Sequence, residues 1–230
     1  MIYVGGVTKV IGKQIVLDNV TATFPTGSII GFQGINGSGK TMLLRVIAGL
    51  IKPTEGVVSI DGKRLWKDIP MPESMGVLIE NPAFLDPYTG FQNLAMLASL
   101  KGNHNKRAIG AALRSVGLDP TDKRKYRKYS LGMKQRLGIA AAIVNAPDVV
   151  LLDEPTNALD ESGLEMLNQV IVDQKKRGAT VLIASHDRQF LESLADGILL
   201  FDKGKVRQGC LAGGVDQKRC VMQTSSVAQR

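Results

Sequence analysis

Residues 34–41 (GINGSGKT) constrain this chain more than any other feature, because they fit the phosphate-binding pattern G-x-x-x-x-G-K-[ST]. Glycine lacks a Cβ atom, so successive backbone N–H groups of such a loop can turn towards one anion. Residues 28–33 read as a short apolar strand, and residues 40–51 have apolar side chains at helical spacing. Phosphates in the loop would therefore meet the free amides of a helix N-terminus. The residues expected to surround the phosphates are Gly34, Asn36, Gly37, Ser38, Gly39, Lys40 and Thr41.

Composition sets outer limits on the fold and its partners. The chain has 230 residues, of which 44% are hydrophobic, enough for one domain with a sizeable core. No apolar run approaches the ~18 residues of a membrane span, and the N-terminus lacks the pattern of a secretory signal. Cys210 and Cys220 lie in the C-terminal tail outside any metal-ligand cluster, which favours free thiols. The net charge of +8 suits nucleic acid, anionic lipid or nucleotide and does not choose among them.

Strands and helices alternate along most of the sequence, which is typical of an α/β fold with a parallel core sheet. Three antiparallel strands are expected first, at 1–8, 14–24 and 28–33, and a hairpin turn at Asp61-Gly62. A helical block near 81–146 is inserted after a short strand at 76–79. Its helices are predicted at 90–101, 106–116 and 131–145, and further strands at 149–152, 180–184 and 198–201, with a helix at 161–177 between them. The predicted domain spans 1–206 and leaves a tail at 207–230.

Two acids follow the buried strand at 149–152. The run VVLL ends in Asp153 and Glu154, at the edge where ligands bind in open parallel sheets. In P-loop ATPases the acid that closes this strand helps to hold Mg²⁺, so Asp153 is predicted in that role together with the Thr41 hydroxyl. Lys40 is expected to reach the β- and γ-phosphates. Glu154 is placed to polarise an attacking water, whose proton needs an acceptor.

A third motif at residues 129–136 (YSLGMKQR) precedes an apolar helix and decides the family. It resembles the L-S-G-G-Q signature of the ATP-binding cassette (ABC) ATPases. The run NALD, which ends at Asp160, is similar to the D-loop of that family, and His186 follows a strand as its switch histidine does. All five motifs stand in the family's order and approximate spacing, so residues 1–205 resemble an ABC ATP-binding cassette.

The resemblance implies a P-loop NTPase core with an N-terminal antiparallel β subdomain and an inserted α-helical subdomain, which binds ATP and Mg²⁺. It makes Glu154 the general base and lets His186 contact the γ-phosphate. Ser130 and Gly132 would cap the γ-phosphate of a nucleotide held by a second ATPase subunit, in a homodimer or a heterodimer. A separate transmembrane permease would dock near residues 80–91, which places the chain in the cytoplasm on the inner face of the cell membrane. No nucleic-acid partner is expected.

Four positions depart from the family's pattern. Ile11, or Val10 beside it, occupies the slot where an aromatic ring usually lies under adenine, and an aliphatic contact stacks less well. Glu80 replaces the Q-loop glutamine; it keeps an oxygen for Mg²⁺ and would add a third carboxylate to the two acids after the strand. The alternative is that Glu80 points to solvent or pairs with a basic residue. Leu131 and Met133 replace a Gly and the Gln of the signature. The variant signature and the Glu-Asn-Pro loop resemble the bacitracin- and lantibiotic-type peptide export and self-immunity branch of ABC transporters.

Two other classes of function stay open. One is a soluble ABC ATPase that acts on the ribosome or on DNA. Ribosome-acting members usually carry two cassettes in one chain, and this chain has one. Chromosome-binding members carry a long coiled coil between the phosphate-binding loop and the signature, whereas only 88 residues separate Thr41 from Ser130 here. The other is a nucleotide-binding regulatory module without turnover. The intact Lys40, Asp153, Glu154 and His186 argue against this class, while Glu80 and Ile11 leave it open.

Two segments of the helical block are candidates for contact with a partner. Residues 123–128 (KRKYRK) are basic; a solvated approach to the signature helix is a plainer interpretation than contact with nucleic acid or lipid. Residues 82–91 are apolar yet contain Pro and Gly, unlike a core helix. Core packing is the plainer interpretation of this segment. In the ABC family that the chain resembles, the same place receives the membrane subunit, which implies that Phe84, Leu85 and Tyr88 are partly exposed and contact the permease.

Overall fold

The computed structural model describes residues 1–80, 82–100, 102 and 104–209, and in these it forms ten strands and six α-helices. The strands are β1 (Ile2–Ile11), β2 (Gln14–Phe24), β3 (Ile29–Gln33), β4 (Glu55–Ile60), β5 (Lys63–Arg64), β6 (Met75–Leu78), β7 (Val149–Asp153), β8 (Thr180–Ser185), β9 (Gly197–Asp202) and β10 (Lys205–Gly209). The helices are α1 (Lys40–Ile47), α2 (Gly90–Ser99), α3 (Lys106–Ser115), α4 (Leu131–Ile143), α5 (Glu161–Lys176) and α6 (Arg188–Leu194). A 3-10 helix at Tyr126–Lys128 precedes α4.

The first sheet has four antiparallel strands in the order β2-β1-β4-β5. β1 lies in its interior, with Ile2 opposite Phe24 on one side and Ile60 on the other. Asp61 and Gly62 join β4 to β5 with φ angles of 49° and 82°. Positive φ at both central residues is what a tight type I′ hairpin requires, so the predicted hairpin turn is confirmed.

The second sheet has six strands in the order β10-β9-β3-β8-β7-β6, of which only β10 runs antiparallel to its neighbour. The prediction that residues 28–33 belong to the antiparallel sheet is wrong. β3 lies inside this second sheet, parallel to β8 and β9, with Ile30 opposite Leu182. Its residues are buried on both faces rather than on alternate ones, which is the pattern of a strand covered on two sides.

The helical block inserted between β6 and β7 packs α2, α3 and α4 around a common core that contains Leu94, Leu113 and Leu137. Its helices begin at polar caps: the Thr89 hydroxyl accepts from Gln92 N in a capping box, and Ser130 Oγ accepts from Met133 N. α4 also packs against β6 and β7. The fold class is thus the one expected, an α/β core with an antiparallel sheet and an inserted helical block.

Several element boundaries differ from the prediction. β1 continues to Ile11, and α1 ends at Ile47 because the chain turns at Gly49, whose φ is 77°. The seven-residue helix α6 was not predicted, and β10 runs across the expected boundary between 206 and 207. Asn81, Lys101, Asn103 and residues 210–230, which include Cys210 and Cys220, lie outside the described residues. Every helix that the structure describes is too short or too polar to cross a bilayer.

Gly76 sets the distance between the core sheet and α4. A Cβ atom built on Gly76 would overlap the carbonyl oxygen of Ala142, so β6 and the last turn of α4 meet backbone to backbone. The same added atom would also press on the Pro147 ring. No side chain can be accommodated here without moving the signature helix.

We expect Gly76→Ala to lower the free energy of unfolding by about 3 kcal/mol, because the added methyl group meets rigid backbone. Gly197→Ala is the control, since its Cβ would lie 3.4 Å from the Ile30 side chain in ordinary contact and should cost less than about 1 kcal/mol. Urea unfolding of both variants measures the difference. Equal losses would contradict the backbone contact.

Candidate nucleotide site

The glycine-rich loop connects β3 to α1 at the carboxyl edge of the parallel sheet, where β7 and β8 also end. Gly39 forms the N-cap of α1 with φ 110°, a conformation that L side chains rarely adopt. The loop therefore turns sharply into the helix and directs the first amides of α1 into the space above the sheet. This strand–loop–helix arrangement is the one predicted for phosphate binding.

The Lys40 side chain is only 4% exposed and lies under this loop. Its ammonium group donates to the carbonyl oxygens of Gly34 at 2.6 Å and Ile35 at 3.2 Å. It also lies 3.6 Å from Glu154 Oε1. The charge is thus held between the loop and the end of β7.

Thr41 and Asp153 meet on the other side of Lys40. The Thr41 hydroxyl donates to Asp153 Oδ1 at 3.1 Å. Burial raises the pKa of the Asp153 carboxyl, and the Thr41 hydrogen bond lowers it in part. A buried carboxylate that ionises reluctantly and has a neighbouring hydroxyl is a suitable pair of oxygens for Mg²⁺, which usually takes one or two carboxylates plus substrate phosphates.

Glu154 follows β7 in a left-handed backbone conformation, with φ 45°, and its N–H donates to Ala184 O at the end of β8 at 2.8 Å. Its Oε2 lies 2.8 Å from His186 Nδ1 and accepts from the His186 N–H at 3.4 Å. Glu154 and His186, predicted as separate motifs, are therefore direct partners. From this left-handed turn the Glu154 carboxylate reaches both Lys40 and His186.

Two buried polar atoms of the site have no hydrogen-bond partner in the described residues. They are Ser38 Oγ in the loop and Glu154 Oε1 opposite Lys40. Unpartnered buried polar atoms are rare and point to a group that is bound in function. A polyphosphate with its cation and an attacking water would supply an acceptor for the hydroxyl and a donor for the carboxylate, so the site fits the nucleotide that the motifs predict.

The signature residues lie apart from this cluster. Ser130 caps α4, and a Cβ on Gly132 would lie 3.0 Å from Ala158 O, so the N-terminus of α4 packs on the segment before Asp160. Asp160 caps α5 through Gly163 N and pairs with Arg136 at 3.3 Å. Among the described residues, Ser130, Gly132 and Asp160 make no hydrogen bond to Lys40, Thr41 or Asp153.

Glu80 departs from its expected place. The prediction brought it beside Asp153 and Glu154 as a third carboxylate and Mg²⁺ ligand; in the structure its carboxylate forms an ion pair with Arg45 of α1. Arg45 also lowers the pKa of Asp153. The structure thus pairs Glu80 with a cation, and the two candidate metal-binding oxygens that it brings into contact are those of Thr41 and Asp153.

The remaining predicted residues lie outside the cluster around Lys40. Ile11 is 50% exposed at the end of β1, opposite Gln14, and is free to meet a ligand. In the segment 82–91, Leu85 is 53% and Tyr88 40% exposed, whereas Phe84 is half-buried against the Tyr126 ring.

Sequence reasoning gave no separate role to two buried amides. Gln135 Nε2 donates to Pro155 O at 3.1 Å and to Glu154 O at 3.4 Å, so α4 supports the turn that holds Glu154. Asn93 holds the segment 82–91 through Leu85 N, Leu85 O and Thr89 O. Both are polar residues on otherwise apolar helix faces, which is the signal that could have identified them.

Comparison with known proteins agrees with this geometry. The sequence model of the ABC transporter family matches residues 17–157. An uncharacterised ABC transporter ATP-binding protein of Bacillus subtilis, YybJ, is 48% identical over 90% of this chain and 94% of its own length. The bacitracin transport ATP-binding protein BcrA of Bacillus licheniformis is 39% identical over 86% of this chain and 66% of its own. The lantibiotic transport ATP-binding protein SrtF of Streptococcus pyogenes is 34% identical over 90% and 89%.

A solved structure has the same fold. The ATP-binding cassette MJ0796, in a dimeric post-hydrolysis state bound to ADP and Pi, superposes with a TM-score of 0.84 at 27% identity, over 93% of this chain and all of that one. The family match covers more than half of the sequence, and the loop, acids and histidine meet as the family's motifs require. The chain therefore belongs to the ABC transporter family, as one of its ATPase cassettes.

Proposed function

We propose that this chain binds and hydrolyses ATP to power a separate membrane permease, from its place on the inner face of the membrane. The observation that carries the proposal is the convergence of Lys40, Thr41, Asp153, Glu154 and His186 at one sheet edge. A cation, a hydroxyl, a buried carboxylate and a water-positioning base are parts that recur in phosphoryl transfer to water, and His186 holds the base.

Hydrolysis would use groups that are already oriented. The Lys40 ammonium would exchange its carbonyl partners for the β- and γ-phosphates. Glu154 Oε1 is free to accept the proton of the attacking water, while its Oε2 is held by His186. When bound, Mg²⁺ at Thr41 and Asp153 would neutralise phosphate charge. Catalysis is then positioning and charge stabilisation of an in-line attack.

A complete site would require a second ATPase subunit. Ser130 and Gly132 lie on α4, outside the cluster around Lys40. Ser130 opens a helix whose free amides can meet an anion, so it would cap the γ-phosphate of the other subunit, with Asp160 at the same contact. The dimeric state of MJ0796 supports this arrangement. Ile11 would contact the adenine.

The exposed segment 82–91 is the proposed docking site for the permease. Leu85 and Tyr88 present apolar surface, and the buried Asn93 fixes their backbone. The names of BcrA and SrtF, which are transport proteins for bacitracin and a lantibiotic, support a role in export of, or immunity to, an antimicrobial peptide.

We expect Glu154→Gln to lower the rate of ATP hydrolysis at least about 100-fold, because the attacking water loses its proton acceptor. ATP should still bind and should hold two subunits together. Phosphate release and size-exclusion chromatography with ATP measure the two effects. Glu165→Gln on the exposed face of α5 is the charge-matched control. Turnover like that of the unchanged chain would remove Glu154 as the base.

We expect Asp153→Asn to raise the melting temperature of the nucleotide-free protein by a few degrees at neutral pH. Burial raises the pKa of Asp153 in the folded state, so ionisation destabilises the fold at pH values above that pKa. The gain should disappear on acidification below the ordinary carboxyl value of 3.8, where the group is protonated in both states.

Thermal melting from neutral to acidic pH tests this expectation, with the exposed Asp148→Asn as control. With ATP and Mg²⁺ the order should reverse, because the variant loses a metal ligand. A variant that is less stable than the parent without nucleotide would contradict the cost of burying this charge.

We expect the double variant Leu85→Asp, Tyr88→Ser to lose association with a co-expressed candidate permease, since both changes remove exposed apolar surface. ATP hydrolysis by the isolated subunit should stay within about twofold, because neither side chain contacts the nucleotide cluster. Co-purification is the measurement, and Met71→Asp, at another exposed apolar residue, is the control. Unchanged co-purification would place the docking site elsewhere.

A further inference from the structure

The positive charge of the chain is concentrated in its helical block. Residues 81–146 contain eleven Lys and Arg against three Asp and Glu, an excess of eight that equals the net charge of the whole chain. The remainder, which contains the nucleotide cluster, has 18 basic and 18 acidic residues. The excess charge is therefore a property of one subdomain and not of the nucleotide site.

Five of these cations lie within six consecutive residues before α4. Lys123, Arg124, Lys125, Arg127 and Lys128, which we call the basic strip, are exposed except for the half-buried Lys125. The backbone of the strip is fixed, because Tyr126 N donates to Tyr88 O at 2.8 Å and Arg127 N to Asp86 O at 3.4 Å. The strip thus lies directly beside the exposed segment 82–91.

Little of this charge is neutralised within the chain. Arg124 pairs with Asp122 at 2.8 Å, and this contact lowers the pKa of Asp122. Over the described ranges, no ion pair involves Lys123, Lys125, Arg127 or Lys128. Lys134 adds a further cation, 5.0 Å above the Tyr126 ring. Four cations without an ion-pair partner lie within six residues and repel each other. An anionic partner would offset this repulsion.

The neighbouring side chains favour a lipid surface over nucleic acid as that partner. Tyr126 and Tyr129, the aromatic residues in and after the strip, are buried and offer no ring on which a base could stack. The exposed Leu85 and Tyr88 next to the strip are apolar instead. Cations beside exposed aliphatic and tyrosine side chains are the combination that interfacial membrane contacts use.

We propose that the basic strip binds the headgroups of anionic phospholipids directly. This contact goes beyond the proposed function, in which the permease alone holds the subunit at the membrane. The strip would keep the subunit at the bilayer surface and would orient segment 82–91 towards a permease embedded in that bilayer. It needs neither a permease nor nucleotide.

The test is co-sedimentation of the full chain alone with vesicles of phosphatidylcholine, with and without phosphatidylglycerol. The strip variant replaces Lys123, Lys125, Arg127 and Lys128 with Gln. The control variant replaces Lys52, Lys63, Arg64 and Lys67 with Gln; these are four exposed cations in β5 and in the segments before β4 and after β5, so both variants lose the same charge. Because the assay contains no ATP, its result is independent of hydrolysis by this chain.

We expect binding only to vesicles that contain phosphatidylglycerol, with release at high salt. The strip variant should bind at least about tenfold more weakly, while the control stays within about threefold of the parent. Both variants should melt like the parent.

Equal losses in the two variants would overturn the proposal in favour of a general charge effect. Equal binding to neutral vesicles, or no binding at all, would overturn it as well. A strip variant that loses binding to a single-stranded RNA probe but keeps its binding to vesicles would identify a nucleic-acid surface instead.

Discussion

The buried ammonium group of Lys40 is the constraint on which the arrangement of the nucleotide site depends. A charge that is 4% exposed requires compensating partners, and here these are two carbonyl oxygens of its own loop and the Glu154 carboxylate. These partners come from the loop after β3 and from the end of β7. The Lys40 side chain therefore fixes the distance between the ends of β3 and β7. An incoming polyphosphate replaces partners that are already in position, so the site needs little reorganisation.

The features that sequence predicted well are those encoded over a few neighbouring residues. The sequence at 34–41 predicts its own strand, turn and helix. The run that ends in Asp153 and Glu154 likewise predicts the sheet edge at which these two acids lie. Their meeting follows from the parallel order of β3, β7 and β8, since parallel strands end at a common edge. The fold class and the main site could therefore be inferred without coordinates.

The features that sequence missed depend on which distant segments meet. The sequence of the apolar strand β3 is compatible with either sheet. Its place in the second sheet is determined by its parallel pairing with β8 and β9, which are distant in sequence. The carboxylate of Glu80 had two possible partners, a metal ion or a basic side chain. In the structure its partner is Arg45, which lies 35 residues earlier on α1. Gln135 supports Glu154 from a helix that no local pattern connects to that turn.

The backbone contact between Gly76 and Ala142 gives α4 the mechanics of a lever. Ala142 lies in the last turn of the helix, whereas Ser130 caps its first turn, about 18 Å away at 1.5 Å per residue. With no side chain between β6 and the helix, this contact is the natural fulcrum for a rotation of the helical block. A rotation of about 10° there displaces Ser130 by about 3 Å, the length of one hydrogen bond. A small tilt at the sheet would thus be enough to make or break the contact with a phosphate that is proposed for the signature serine.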